Sequence, residues 1–327
     1  MGFCPSGAKL VAGVALISAW AYKMGMIADE LRSLLREAAP PVLLDVLPPE
    51  SFARRHLPGA VNACVYETVF LTTVAALVPH QDTPLIVYGL GSDTLAAPTA
   101  REKLEAAGYS RVREFRGGLT EWQNRGFPLE GDTEAPEPPS LRNLTGRFAV
   151  DLDRSVILWT GRNLFNHHHG SVRLAGGSFQ VDGGSFAGID FAVDVKSIAC
   201  SDLTDAGYNA LLLAHLASND FFDTANHPTA LFHATSVEPI DGATPGLPNF
   251  QVRGDLTLRG TIHPLEFAAV CAVNDAGEFV AQAEFDLDRT TWGSIYGSGR
   301  FFEVLGKHVV NDLVHLHILL IAVKDES

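Results

Sequence analysis

Residues 131–142, GDTEAPEPPSLR, separate two hydrophobic rhythms that cannot share one layer architecture. Before this stretch, short unbroken apolar runs alternate with helical patterns. After it, apolar and polar residues alternate through a long series of extended segments. A helix places its apolar residues every three to four positions and a half-buried strand every two. The switch therefore divides the chain into a domain at 26–131, a linker at 132–142 and a domain at 143–327. The prolines and glutamates of the linker make it semi-rigid and unfit for a core.

The first domain reads as α/β. Ile27, Leu31, Leu34 and Leu35 share one helical face, and Pro40-Pro41 stops that helix. The runs at 42–46, 84–88 and 111–115 have the length and apolar continuity of buried parallel strands. Helical patterns at 96–107 and after Gly117-Gly118 fall between or behind them, which predicts a parallel sheet with helices packed on it.

The second domain reads as all-β. Phe191, Val193 and Val195 alternate with Ala192 and Asp194, and similar segments recur up to residue 323. Gly176-Gly177 predicts a bulge or bend. One long helix is expected at 202–219, with Tyr208, Leu211, Leu212, His215 and Leu216 on one face. About eight strands and one helix predict an up-and-down antiparallel barrel that encloses one small ligand.

Three blocks of the first half, LLDVLPPESFARRHLPGAVN, PLIVYGLGSDTLAA and VREFRGGLTEWQNRGFPLEG, resemble the rhodanese (sulfurtransferase) domain in order and spacing. The resemblance implies a nucleophilic cysteine directly after the strand ending at Tyr88, with loop amides around its persulfide. Here that position is Gly89, and the loop runs Gly89, Leu90, Gly91, Ser92, Asp93, Thr94. Leu47 stands where the family often has an arginine. Without a thiolate there is no sulfur acceptor, and Asp93 would repel an anion. The expectation is a catalytically silent rhodanese-like domain, kept for docking to a protein partner or to a second copy. Cys64 is the alternative nucleophile, but no His or Lys lies near it in sequence, and it reads as a packed thiol.

In the second half, SNDFFDTANHPTALFHATSVEPI, VRGDLTLRGTIHPLEF and DLVHLHILLIA resemble the YceI-like family. The resemblance implies a lipocalin-type barrel holding a long apolar molecule, an isoprenoid, quinone or fatty-acid-like chain, with its mouth built from loops. The HHH run and the segment TTWGSIYGSGRFFEVLGKH depart from the common pattern.

Net charge −14 excludes the basic footprint that a nucleic-acid partner requires. The four cysteines form no CxxC pair, which excludes a cysteine-rich zinc site and argues against a disulfide framework. Residues 10–21 are apolar behind Lys9 but too few to span a bilayer. They read either as a signal-like segment, which would place the protein in the periplasm, or as residues ahead of a true start at Met24 or Met26, which would make it cytoplasmic.

Two stretches carry the candidate ligand site. The first runs from Trp159 to Gly170, read as a strand end and rim loop with Arg162, Asn163, Phe165, His167 and His169 at the barrel mouth. The second is the Gly-rich stretch from Arg289 to His308, read as a mobile lid carrying Trp292, Tyr296, Arg300, Phe301 and Phe302, with Arg300 and Lys307 able to meet an acidic head group. In an extended chain His167 and His169 share a side, as do His315 and His317. If juxtaposed, these pairs would give a four-nitrogen metal or haem site. Packing and contact with a ligand head are the other two readings of the histidines. The pairs Asp151/Asp153 and Asp286/Asp288 are expected on the solvent face of strands.

Overall fold

The computed structural model describes residues 26–132 and 140–325. The expected signal-like or pre-start segment at 1–25, most of the linker and the last two residues lie outside the described residues. The chain separates into two compact units.

The first unit is a four-stranded parallel sheet in the order β2-β1-β3-β4, from β1 (Val42–Asp45), β2 (Val61–Asn62), β3 (Leu85–Tyr88) and β4 (Val112–Phe115). Every side chain of β3 is buried, as expected for a central strand with helices over it. The core is dense: Leu44, Val46, Val74, Val87, Tyr88, Ala100, Leu104 and Phe115 are all fully buried. The helix Gly118–Asn124 starts at a glycine with φ +55°, where a Cβ would collide with the Gly89 carbonyl.

The second unit is an antiparallel barrel of nine strands. They are β5 (Thr145–Val150), β6 (Val156–Arg162), β7 (His167–Asp182), β8 (Ser185–Cys200), β9 (Thr229–Pro239), β10 (Phe250–Leu258), β11 (Thr261–Val273), β12 (Phe279–Asp288) and β13 (Leu313–Lys324). The barrel closes where β12 pairs with β13 from Phe279↔Ala322 to Asp288↔Leu313. β5 and β6 each pair with both β7 and β13, so together they form one broken stave, and the nine strands make eight staves. The break corrects one expectation. Asp151 does not sit on a strand face but caps the turn between β5 and β6, accepting from the Asp153 and Arg154 N–H groups. The expected bulge is present, with the β7–β8 register shifting between Leu174 and Gly176. Among the described residues the one α-helix of this unit spans Ala206–Ala217, shorter than the predicted range, and Asp205 caps it by accepting from Tyr208 N–H.

Candidate functional site

The barrel is hollow. Its cavity has a volume of about 480 Å³ and is lined almost entirely by aliphatic and aromatic side chains. Alternation along the strands explains why. β6 turns Ile157 and Trp159 inward, β12 turns Ala281, Ala283, Phe285 and Leu287 inward, and β13 turns Val314, Leu316, Ile318 and Leu320 inward. One end is plugged by aromatic rings. Phe179 stacks on Phe148 with centroids 5.6 Å apart and meets Phe279 at 4.8 Å, while Phe186 meets Phe250 at 5.3 Å. A middle belt follows, in which Phe267 lies 5.7 Å from Phe232 and 4.7 Å from Phe285.

The other end gathers the β6–β7, β8–β9, β10–β11 and β12–β13 connections. The cavity's polar groups are concentrated there: Arg162, Asn163, Asn166, His168, His215, Tyr296 and Asn311 line it. Asn163 accepts from the N–H groups of Phe165 and Asn166 and so shapes the β6–β7 turn. His215 packs edge-on against Tyr296 at 4.5 Å and Phe221 at 4.9 Å. No carboxylate partners the Arg162 guanidinium among the described residues.

The loop between β12 and β13 is anchored by Arg289. Its side chain is 1% exposed. Its guanidinium donates to the carbonyls of Asn311, Ser294, Tyr296 and Val310, stands 3.7 Å from Asp312, and lies over the Phe221 ring. Burial pulls its pKa below the usual arginine value, while Asp312 and Asp288 oppose that shift. Arg300 adds a second clasp, 2.8 Å from Asp288 and 3.0 Å from Asp312. The hydrogen bonds from Thr290 and Arg300 hold the Asp288 carboxyl below its ordinary range although desolvation, the largest single influence, acts the other way.

The predicted mouth residues are distributed unevenly. Arg162, Asn163 and Tyr296 line the cavity; Phe165, His167, His169, Trp292, Arg300, Phe301 and Phe302 do not. Trp292 is a buried anchor whose indole N–H donates to the Leu256 carbonyl. Arg300 is paired with two aspartates, Asp288 and Asp312. Phe165, Phe301 and Phe302 are exposed on the surrounding loops.

The histidine assignment is corrected by register. His167 begins β7, so the HHH run is strand and not loop. Trp159 stands opposite Gly170, and Gly161 opposite His168. The middle histidine therefore faces the lumen, and His167 and His169 occupy the outer face. His169 is paired with Thr160, which is paired with His315, so one strand intervenes between the two histidines. His315 Nδ1 lies 3.1 Å from Asp286, and His317 Nδ1 lies 3.4 Å from Glu284. The four histidines do not converge on one point, and the predicted four-nitrogen site is not formed.

A different polar cluster forms at the lumen side. His168 Nδ1 is 2.9 Å from Asp202 Oδ2, and the Cys200 thiol is 3.2 Å from Asp202 Oδ1. The backbone N–H of His169 also donates to Asp202, at 2.8 Å. Desolvation would raise the Asp202 pKa, but these donors together hold it well below the carboxylate range. Desolvation, the leading cause, raises the Cys200 pKa, and proximity to Asp202 adds to it. A second lumen-side group comes from the predicted helix face, whose Leu212, His215 and Leu216 line the cavity together with Phe221 and Phe222. The predicted face was partly displaced, because Tyr208 and Leu211 are exposed.

In the first unit, Gly89 follows β3 directly. Its carbonyl and that of Leu90 accept from Leu119 and Thr120 N–H. A Cβ at Gly89 would lie 3.1 Å from the Ala96 Cβ, tighter than ordinary contact, with Leu47 3.8 Å away. Thr94 N–H is spent on the Gly91 carbonyl, and Ser92 donates to Asp93. Cys64 is buried at 5% exposure. No helix among the described residues is long and apolar enough to cross a membrane.

The YceI-like domain model matches residues 148–322, and the rhodanese-like domain model matches residues 27–125. An HTH-type transcriptional regulator of Mycobacterium tuberculosis is 32% identical over 95 residues, 29% of this chain and 40% of the regulator, so the match spans under half of that relative's length. Thiosulfate sulfurtransferase 18 of Arabidopsis thaliana is 32% identical over 104 residues, covering 28% of this chain and 74% of that protein. A polyisoprenoid binding domain from Saccharophagus degradans aligns in structure with TM-score 0.38 and 12% identity, over 54% of this chain and 98% of that one.

Proposed function

The chain belongs to the YceI-like family and carries a rhodanese-like domain ahead of its barrel, and from that premise we propose that the barrel binds one long apolar molecule of isoprenoid, quinone or fatty-acid type. The observation that carries this reading is the cavity of about 480 Å³, predominantly apolar from the phenylalanine plug outward and with most of its polar groups at the opposite end. A ligand with an apolar tail and a polar head fits that gradient. The tail would lie among Phe232, Phe267, Phe285 and Leu316, and the head would meet Arg162, Asn166 and the Tyr296 hydroxyl. Each methylene moved from water into the cavity contributes about 0.8 kcal/mol. About ten carbons would thus supply roughly 8 kcal/mol before the cost of ordering the chain.

The rhodanese-like domain acts in this reading as a docking or regulatory module and transfers no sulfur. Gly89 replaces the nucleophile, the Ala96 contact leaves little room for a side chain there, and Cys64 is shielded. Thiosulfate-to-cyanide sulfur transfer tests this half, with no turnover above the uncatalysed rate expected. Turnover that disappears in Cys64→Ala would overturn it. Titration with a fluorescent polyene fatty acid tests the barrel half. Saturable binding at one site per chain is expected, and Arg162→Ala should weaken a carboxylate-headed probe more than its methyl ester.

A further inference from the structure

We infer that His168, Cys200 and Asp202 form a binding site for one thiophilic divalent metal ion of the zinc class, at the polar end of the barrel. The three residues arrive from two neighbouring strands and the turn that follows. Gly170 stands opposite Cys200 in the β7–β8 register. A Cβ at Gly170 would collide with the Ala199 carbonyl, so the glycine lets the strand ends approach closely beside the cluster. One candidate ligand atom from each residue lies within 4.8 Å of the others.

The spacing suits a tetrahedral ion. Bond lengths of about 2.0 Å to nitrogen and oxygen and about 2.3 Å to sulfur give tetrahedral edges of roughly 3.3 Å for N···O and 3.5 Å for S···O. The observed contacts are 2.9 Å and 3.2 Å. These contacts reach the two oxygens of one carboxylate, so an ion that takes the place of the shared protons needs each to lengthen by about 0.3–0.4 Å and the carboxylate to turn toward it, while the nitrogen and sulfur already lie within 4.8 Å of each other. The donor set is one imidazole, one sulfur and one carboxylate. Nitrogen and sulfur favour zinc-like ions, whereas calcium and magnesium require shells of oxygen. The charges also balance. Metal entry sends the thiol proton to water, and the resulting thiolate and carboxylate neutralise the dication in a partly buried position. The His169 N–H bond to Asp202 orients the carboxylate from behind, as outer partners of metal ligands do. The remaining coordination position is left to water.

The outward histidines offer less, because each of His315 and His317 is matched to one carboxylate. His168 lines the cavity whereas Cys200 and Asp202 do not, and a metal titration uses no apolar ligand, so its outcome is read separately from the apolar-ligand reading.

The test is Co²⁺ and Zn²⁺ titration of the full chain in a Cys4→Ser background. Cys64 and Cys271 are buried, so Cys200 is then the accessible thiol. The expected result is one ion per chain and a near-ultraviolet thiolate-to-cobalt band. Cys200→Ser should abolish the band and weaken zinc binding by about 100-fold or more, beyond the loss typical of outer-partner changes. The double variant His315→Ala/His317→Ala should change neither. A Cys4→Ser protein that binds Co²⁺ without a thiolate band, or that binds no ion, overturns the proposal even if Cys200→Ser fails to fold. Zinc affinity lost on removal of His315 and His317 instead would also overturn it.

Discussion

The two units bury apolar side chains to opposite ends. In the rhodanese-like unit the interior is filled: Tyr88, Phe115 and Leu104 are fully buried, and a Cβ at Gly89 would stand only 3.1 Å from the Ala96 Cβ. In the barrel, Leu256, Phe285, Leu316 and Ile318 point inward yet remain only partly buried, because they face a cavity. The same residue types thus serve cohesion in one unit and leave an apolar surface for a ligand in the other. A hollow barrel also cannot rely on its centre for rigidity. Polar clasps at the open end take over part of that task, Arg289 foremost among them.

The largest effect should come from removing that clasp. Arg289→Met would leave four carbonyls and Asp312 without their buried cation, and breaking a buried charged network from one side typically costs about 3–5 kcal/mol. Urea unfolding followed by tryptophan fluorescence should show the barrel transition shifted down by this amount, with the transition of the first unit unmoved. An unshifted barrel transition would mean that the loop after β12 is held by other contacts.

Enlarging one alanine in each unit sharpens the contrast. Ala100 is fully buried, and Ala100→Leu should destabilise the first unit by about 1–3 kcal/mol through overpacking. Ala281 lines the cavity, so Ala281→Leu has room to be accommodated. It should cost under about 1 kcal/mol while weakening binding of a fatty-acid probe, since it occupies ligand space. Equal destabilisation at both positions would contradict the hollow-barrel description.

The fold was legible in the sequence because both rhythms are long and regular, and because several separated blocks match two families. The site was legible only in part. Alternation shows that His167 and His169 share a face, but not which face; shifting the strand by one residue exchanges the roles of His168 and its neighbours. Only the partners Gly161 and Trp159 on β6 decide the matter. Arg289 opens the predicted lid stretch, but its anchoring role was not legible for a different reason. Its partners are backbone carbonyls 5 to 22 residues away, and no side-chain pattern encodes them. The helix Ala206–Ala217 gave a correct inward trio, Leu212, His215 and Leu216, but its apolar exposed residues Tyr208 and Leu211 blurred the face.

A subtler difference concerns charge. Asp45 is fully buried in the first unit, where desolvation raises its pKa although the Leu47 N–H bond opposes the rise. A pKa raised in the folded state means that the protonated form is favoured by folding. The associated stability is present below the unfolded value near 3.8 and is lost as pH rises through the folded value. Asp45→Asn should therefore flatten this part of the pH dependence of the first unit's stability, as urea midpoints above and below that range would record. An unchanged pH profile would show that the buried carboxyl does not set it.

The smallest effect is expected on the barrel's outer face. His315→Ala and His317→Ala remove exposed ion pairs and should change stability by no more than about 0.5 kcal/mol, with apolar-ligand affinity unaltered. A large loss of ligand binding would move the functional surface from the lumen to the outside.

The most direct measurement is native mass spectrometry of the full chain titrated with palmitic acid, alongside Ala281→Trp. Binding of one palmitate per chain is predicted, with at least roughly a tenfold loss in the variant, whose indole fills space that about two methylenes of the ligand would otherwise bury. Binding that is absent in the parent chain, or that is equally strong in Ala281→Trp, would contradict an apolar ligand held in the barrel.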